Sequence, residues 1–262
     1  MHTLPANFLE KLVARLDDDN TTGIALSGSF ARGEGGIYSD VDLWHYVRQV
    51  HVSGLELPYL EIVDDYLVSV KTTLIEKDYA GLRNPKQAIW VIPALRQAQI
   101  LLDRDGALAA LIEAASNITW ESLQAEANVY ASKHLAGSAE EIYKILDGLA
   151  KGSESKCLYA IWSLSQDMAD AIVVQHGVFI TTENAYIDCV QAAVGRASNW
   201  TLQFRLAIGL DQLPSGQPAF IGFGIAGLQL YRESVLLLQE ILRPEDNHIV
   251  ERALEVMTEA GY

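Results

Sequence analysis

The sequence predicts an α+β protein: a mixed sheet of about five strands with helices over residues 1–106, then a helical bundle over residues 107–262. Three observations carry this. Short apolar runs rich in β-branched and aromatic residues recur as far as Leu102. Asp103-Arg104-Asp105-Gly106 is a turn sequence. From Ala107 onward the text has long helical periodicity and few strand signals.

The elements follow in order. Over residues 7–16, Phe8, Leu9, Leu12, Val13 and Leu16 share one face of an amphipathic helix, which Asp17-Asp18-Asp19-Asn20 ends. Residues 23–26 are a short buried strand that runs into a turn at Ser27-Gly28-Ser29. A Gly-rich link, Gly33-Glu34-Gly35-Gly36, separates it from a strand over residues 41–47. Further strand-like runs are 66–75, 88–93 and 99–102. Helices are expected over 121–149, 156–175, 183–194, 218–242 and 245–259, with breaks near Gly152, Gly177 and Pro214-Ser215-Gly216.

Nineteen Lys and Arg stand against 34 Asp and Glu, a formal charge of −15. This balance disfavours nucleic acid and anionic membranes as partners, and favours a cationic small molecule or a nucleotide escorted by Mg²⁺. Two cysteines, Cys157 and Cys189, make neither a disulfide scaffold nor a CxxC metal site. The N-terminal residues lack a basic start followed by an apolar run, and the weakly polar stretch 218–231 is too short to span a bilayer. The expectation is a cytoplasmic protein.

The chemistry-bearing segment is SGSFARGEGGIYSDVDL, residues 27–43. Alternate residues of a strand share a face, so Asp40 and Asp42 project together while Val41 and Leu43 point to the core. Two carboxylates on one face form a hard-oxygen site suited to Mg²⁺ or Mn²⁺. Gly28 lets backbone approach a phosphate, Ser29 offers a hydroxyl and an N–H, and Arg32 can reach the same phosphates. Trp44 lies on the carboxylate face; His45 lies on the opposite, core-facing one.

An apolar strand, Gly-Ser, about ten residues and then Asp-apolar-Asp-apolar resembles the nucleotidyltransferase superfamily that includes DNA polymerase β. GSFARGEGGIYSDVDL is most similar to aminoglycoside nucleotidyltransferases, the kanamycin enzymes among them. The resemblance implies an adenylyltransferase that moves AMP from Mg·ATP to a hydroxyl of a small, cationic, aminoglycoside-like acceptor and releases pyrophosphate. In that capacity it would confer antibiotic resistance. It also implies Asp40 and Asp42 as catalytic metal ligands, Gly28, Ser29 and Arg32 at the nucleotide, and a homodimer. The stretch 220–225 offers apolar contact surface for such a dimer.

In many members a third carboxylate sits on the next central strand, but residues 67–75 contain none. The kanamycin enzymes instead use a Glu on a helix of the second domain, four residues before a Lys. Glu140 and Lys144 have that spacing, one turn apart on one helix face. They become the candidate base and a further nucleotide-binding residue, with Glu141 the alternative base. Asp147, Glu154 and Asp170 are candidate partners for acceptor ammonium groups. A reading from another class is an antitoxin-like protein that keeps the fold and binds a protein partner. Arg243 and His248 have the R-x4-H spacing of HEPN ribonucleases, but Pro244 and the position near the end of the sequence argue against that use.

Overall fold

The computed structural model describes residues 3–50, 59–213 and 216–262, so of the break expected at 214–216 the first two residues lie outside the description. The chain divides into two compact units, Met1–Thr119 and Trp120–Tyr262.

The first unit is built from α1 (Phe8–Leu16), β1 (Thr21–Ser27), α2 (Gly28–Ala31), β2 (Val41–Val47), β3 (Tyr59–Val63), β4 (Tyr66–Thr73), α3 (Ile75–Gly81), α4 (Pro85–Gln97), β5 (Gln99–Asp103) and α5 (Ala107–Asn117). The five strands form one sheet in the order β3-β4-β2-β1-β5. β2 runs antiparallel to β1 and parallel to β4, while β1–β5 and β3–β4 are antiparallel. One face buries Ile24, Leu26, Val41, Leu43, Val68 and Val70 against Phe8 and Leu12 of α1. This is the alternation that points Asp42 the other way. His45 lies on that apolar face. Its Nε2 is 2.8 Å from Thr21 Oγ1 and its Nδ1 is 3.3 Å from Thr72 Oγ1, and burial pushes its pKa below the ordinary value.

Two expectations need correction here. Residues 88–93 are helical: Asn84 caps α4 by accepting from Gln87 N at 3.3 Å, and Pro85 occupies the first turn, where a missing N–H costs nothing. The fifth strand is instead β3, an edge strand with Tyr59, Leu60 and Ile62 exposed. Helix α5, which follows the expected boundary at residue 106, packs on β1, β5, α3 and α4 within the first unit.

The second unit contains α6 (Gln124–Gly137), α7 (Ala139–Lys151), α8 (Glu154–Gln175), α9 (Tyr186–Val194), α10 (Asn199–Ala207), α11 (Ala219–Leu238) and α12 (Pro244–Glu259). The long helix expected over 121–149 is broken. A 3-10 turn at Trp120–Ser122 precedes α6, and Ser138 separates α6 from α7 while its hydroxyl donates to Asp167 at 3.2 Å. Helix α10 was not predicted; Ser198 caps it, accepting from Thr201 N at 3.1 Å.

Helices α7, α8 and α11 meet closely. A Cβ on Gly148 would lie 3.1 Å from Cys157 N, and one on Gly224 would lie 3.0 Å from Cys157 Sγ. Gly222 and Gly224, within the apolar stretch 220–225, are buried in this bundle. Burial pushes the Cys157 thiol up to about 11, leaving it protonated at neutral pH. Ala219–Ile241 is long and apolar enough to cross a membrane by length and composition alone, because the helix continues past Tyr231. Half of its apolar window is buried, and it packs on α7, α8 and α10 as a core helix does.

Candidate active site

The site is built where β1 hands over to α2 beside the start of β2. Ser27, the last residue of β1, is the register partner of Asp42. Gly28 follows at φ +66°, a left-handed conformation that disfavours any residue with a Cβ. A Cβ at this position would also overlap the carboxylate of Asp42. Both the backbone and the neighbour therefore demand glycine, and the Gly-Ser turn and the second aspartate are fitted to one another.

The link from α2 to β2 is held by local bonds. Glu34 N donates to Ser29 O at 2.8 Å, Gly36 N to Ser39 Oγ at 2.9 Å, and Ser39 N to Gly36 O at 3.2 Å. Gln99 of β5 donates to Ala31 O at 2.6 Å and ties down the end of α2. Gly35 packs on the Phe30 ring, where a Cβ would lie 2.5 Å from two ring carbons. This turn presents Ile37 and Tyr38 to solvent, Tyr38 at 96% exposure. Asp40 and Asp42 are half-buried, Asp40 one residue before β2 and Asp42 within it. Arg32 Nε donates to Glu34 Oε2 at 2.7 Å.

The carboxylate face of the sheet also carries a group that sequence reasoning missed. Because β2 and β4 are parallel, Asp42 is level with Ser69 and Trp44 with Lys71. Lys71 Nζ lies 5.3 Å from the centroid of the Trp44 ring and 3.6 Å from Asp78 Oδ1. Asp78 is buried and accepts from Tyr46 OH at 2.7 Å. Where a third carboxylate would stand on β4, this chain has Ser69 and a lysine two residues on. Only the strand pairing, not visible in sequence, places that lysine on the site's face.

Among the described residues no group of three or more His, Cys, Asp or Glu could hold a metal ion. Asp40 and Asp42 are the two carboxylates that flank the start of β2. Two carboxylates suit Mg²⁺, whose remaining positions are commonly filled by water and substrate phosphates. Gly28 has no side chain of its own and packs directly against the Asp42 carboxylate.

Glu140, Glu141 and Lys144 stand on α7 in the second unit. Lys144 Nζ lies 2.8 Å from Glu140 and 2.9 Å from Glu141, and these hydrogen bonds, that to Glu140 foremost, raise its pKa. Glu140 is 73% exposed, whereas Glu141 is buried and its Oε2 has no hydrogen-bond partner among the described residues. Asp147 is paired with Lys151 and Lys156 at 2.6 and 2.5 Å, and Asp170 accepts from Tyr186 OH at 2.7 Å. Arg243 is paired with Glu245 and lies 3.8 Å from Asp246.

Residues 8–92 match the family model of the Nucleotidyltransferase domain. Among solved structures, the chain is similar to a nucleotidyltransferase-like protein from Exiguobacterium sibiricum 255-15. Identity is 15% and the TM-score 0.51, over 97% of this chain and 79% of that one. At that identity the likeness is one of fold. No curated protein matches the sequence. The matched stretch runs from α1 into α4 and encloses the Gly28-Ser29 turn and both aspartates, so the first unit carries a nucleotidyltransferase-fold domain.

Proposed function

We propose that the chain is an adenylyltransferase that moves AMP from Mg·ATP to a hydroxyl of a small cationic acceptor, aminoglycoside-like in chemistry, and releases pyrophosphate. The observation that carries this reading is the fit of Gly28 to Asp42: a left-handed glycine at a strand end, packed on a carboxylate of the next strand, inside a domain matched as nucleotidyltransferase. Asp40 and Asp42 would hold Mg²⁺ or Mn²⁺, which when bound supplies charge neutralisation at the triphosphate. Ser29 and Arg32 would orient the phosphates. Glu140 would take the proton from the acceptor hydroxyl and Lys144 would contact phosphate, with Glu141 the alternative base. The acceptor class rests on the charge of −15, which steers cations toward the surface. A homodimer is part of the same proposal.

The test is pyrophosphate release with Mg·ATP against a panel of aminoglycosides, neutral polyols and sugar phosphates. Turnover should appear with cationic acceptors and fall at least ~10²-fold in Asp40→Asn and Asp42→Asn. Near-normal turnover in either variant would overturn the mechanism, and turnover confined to anionic acceptors would overturn the acceptor class.

A further inference from the structure

The helical unit carries an open cavity of about 510 Å³ whose walls come from α8, α9, α10 and α11, the segment before α9 and the turn after α10. Its lining is mostly apolar: Leu158, Ile161, Trp162, Phe204 and Phe223 supply much of the wall. The size and character are those of a site for a small organic molecule. Trp162 remains 62% exposed at this cavity, and Tyr159 beside it, ring centroids 6.0 Å apart, is 65% exposed. Large aromatic surface left in water is what ligand or partner sites display.

The walls are held without a ligand. Phe204 stacks on Trp200 at 4.9 Å, and Trp200 Nε1 donates to Ser234 Oγ at 2.7 Å. Gly209, at φ +74°, turns the chain after α10, and Arg205 clasps Asp211 through two bonds of 2.7 and 2.8 Å. The cavity is therefore preformed, which spares a ligand the entropy of ordering it.

Its polar chemistry is sparse and one-signed. Among the described residues, no Lys, Arg or His lines it. The Tyr186 hydroxyl is committed to Asp170 at 2.7 Å. Glu183 brings a carboxylate to the lining, and Gln166 a neutral amide. A polyol with several ammonium groups would find one carboxylate and leave its hydroxyls facing Leu158, Ile161, Phe204 and Phe223, at a desolvation cost. A hydrophobic ring system with a single amine suits this lining, its charge at Glu183 and its rings on Trp162 and the two phenylalanines.

We propose that this cavity is a binding site for an aromatic or polycyclic monoamine, separate from the aminoglycoside-like acceptor of the reading above and independent of nucleotide. The experiment is calorimetric titration of the full chain with three probes of matched shape: 1-naphthylmethylamine, 1-naphthalenemethanol and 1-naphthoate. Affinity should fall in that order, with the amine roughly fivefold tighter than the alcohol, as suits a partly exposed ion pair. Glu183→Gln, at an exposed position, should erase the preference for the amine while leaving the alcohol unchanged. Trp162→Ala, also at an exposed position, should weaken all three by at least about fivefold. Asp42→Asn, and omission of Mg·ATP, should change none of the three, so failure of the transferase reading leaves this result standing. No saturable binding of any probe by the unsubstituted protein would overturn the proposal, as would an amine preference that survives Glu183→Gln or affinities indifferent to Trp162→Ala.

Discussion

Replacing Gly28 by alanine tests the fit between turn and aspartate through stability alone, without knowledge of any substrate. Two costs add. An L-residue in the left-handed region at φ +66° costs about 1–2 kcal/mol. Forcing a methyl group into space held by the Asp42 carboxylate costs about 1–3 kcal/mol of overpacking. Gly28→Ala should thus destabilise the first unit by roughly 2–5 kcal/mol, measurable by urea unfolding read through hydrogen exchange of peptides covering β1 and β2. The two costs separate by background. In Asp42→Ala the carboxylate is gone and the residual neighbour is Asp42 Cβ at 3.2 Å, tight but close to tolerable. Gly28→Ala in that background should then cost little beyond the backbone strain, about 1–2 kcal/mol. In Asp42→Asn the shape is kept, so the full loss should persist. Equal losses in the Asp42→Ala and unsubstituted backgrounds would refute the claim that glycine is required by its neighbour.

Three further outcomes are expected. Glu140→Gln should lower turnover ~10²–10⁴-fold with little change in Mg·ATP affinity, as for loss of a general base, while Lys144→Ala weakens nucleotide binding; silence in Glu140→Gln together with a loss in Glu141→Gln would move the base by one residue. Tyr46→Phe removes the donor to the buried Asp78 carboxylate and should cost about 1.5–3 kcal/mol by urea unfolding, whereas a loss below ~0.5 kcal/mol would show that Lys71 alone satisfies it. Burial depresses the His45 pKa in the folded state, so the unfolded chain takes up its proton first as pH falls. The stability this gives is present above the unfolded pKa of about 6.5 and is lost below it. The urea midpoint of the first unit should decline from pH 7 to pH 5, and less steeply in His45→Gln.

Much of the site was legible because its parts are adjacent in sequence and obey short-range rules. Val41–Trp44 alternates between buried and half-buried positions, and glycine at position 28 answers to a single dihedral and a single neighbour. What was not legible depends on who pairs with whom. Lys71 reads as an ordinary strand residue until the parallel register with β2 sets it level with Trp44. Strand β3 escaped notice because an exposed edge needs no apolar alternation. Residues 88–93 are a short apolar run whose type periodicity cannot settle; the deciding signal was Asn84-Pro85 ahead of them. Ser138 broke an expected helix because continuous helical composition says nothing of where one axis yields to the next.

The placement of β5 bears on how the first unit assembles. Strand β1 is formed by residue 27, yet its outer neighbour, Gln99–Asp103, comes from the far end of the unit. Until that strand arrives, the backbone groups of Gly23 to Leu26 on one side of β1 lack the partners they have in the finished sheet. During synthesis the carboxylate strand can be flanked on both sides once β4 has emerged, but the strand bearing the Gly-Ser turn cannot. A fragment cut at residue 92, where the family match ends, would keep both aspartates and expose an apolar strand edge able to pair with a second chain. Expression trials that trim the protein to its recognised domain should therefore yield aggregate, and trials that extend it through Asn117, so that β5 and α5 are included, should yield a folded unit.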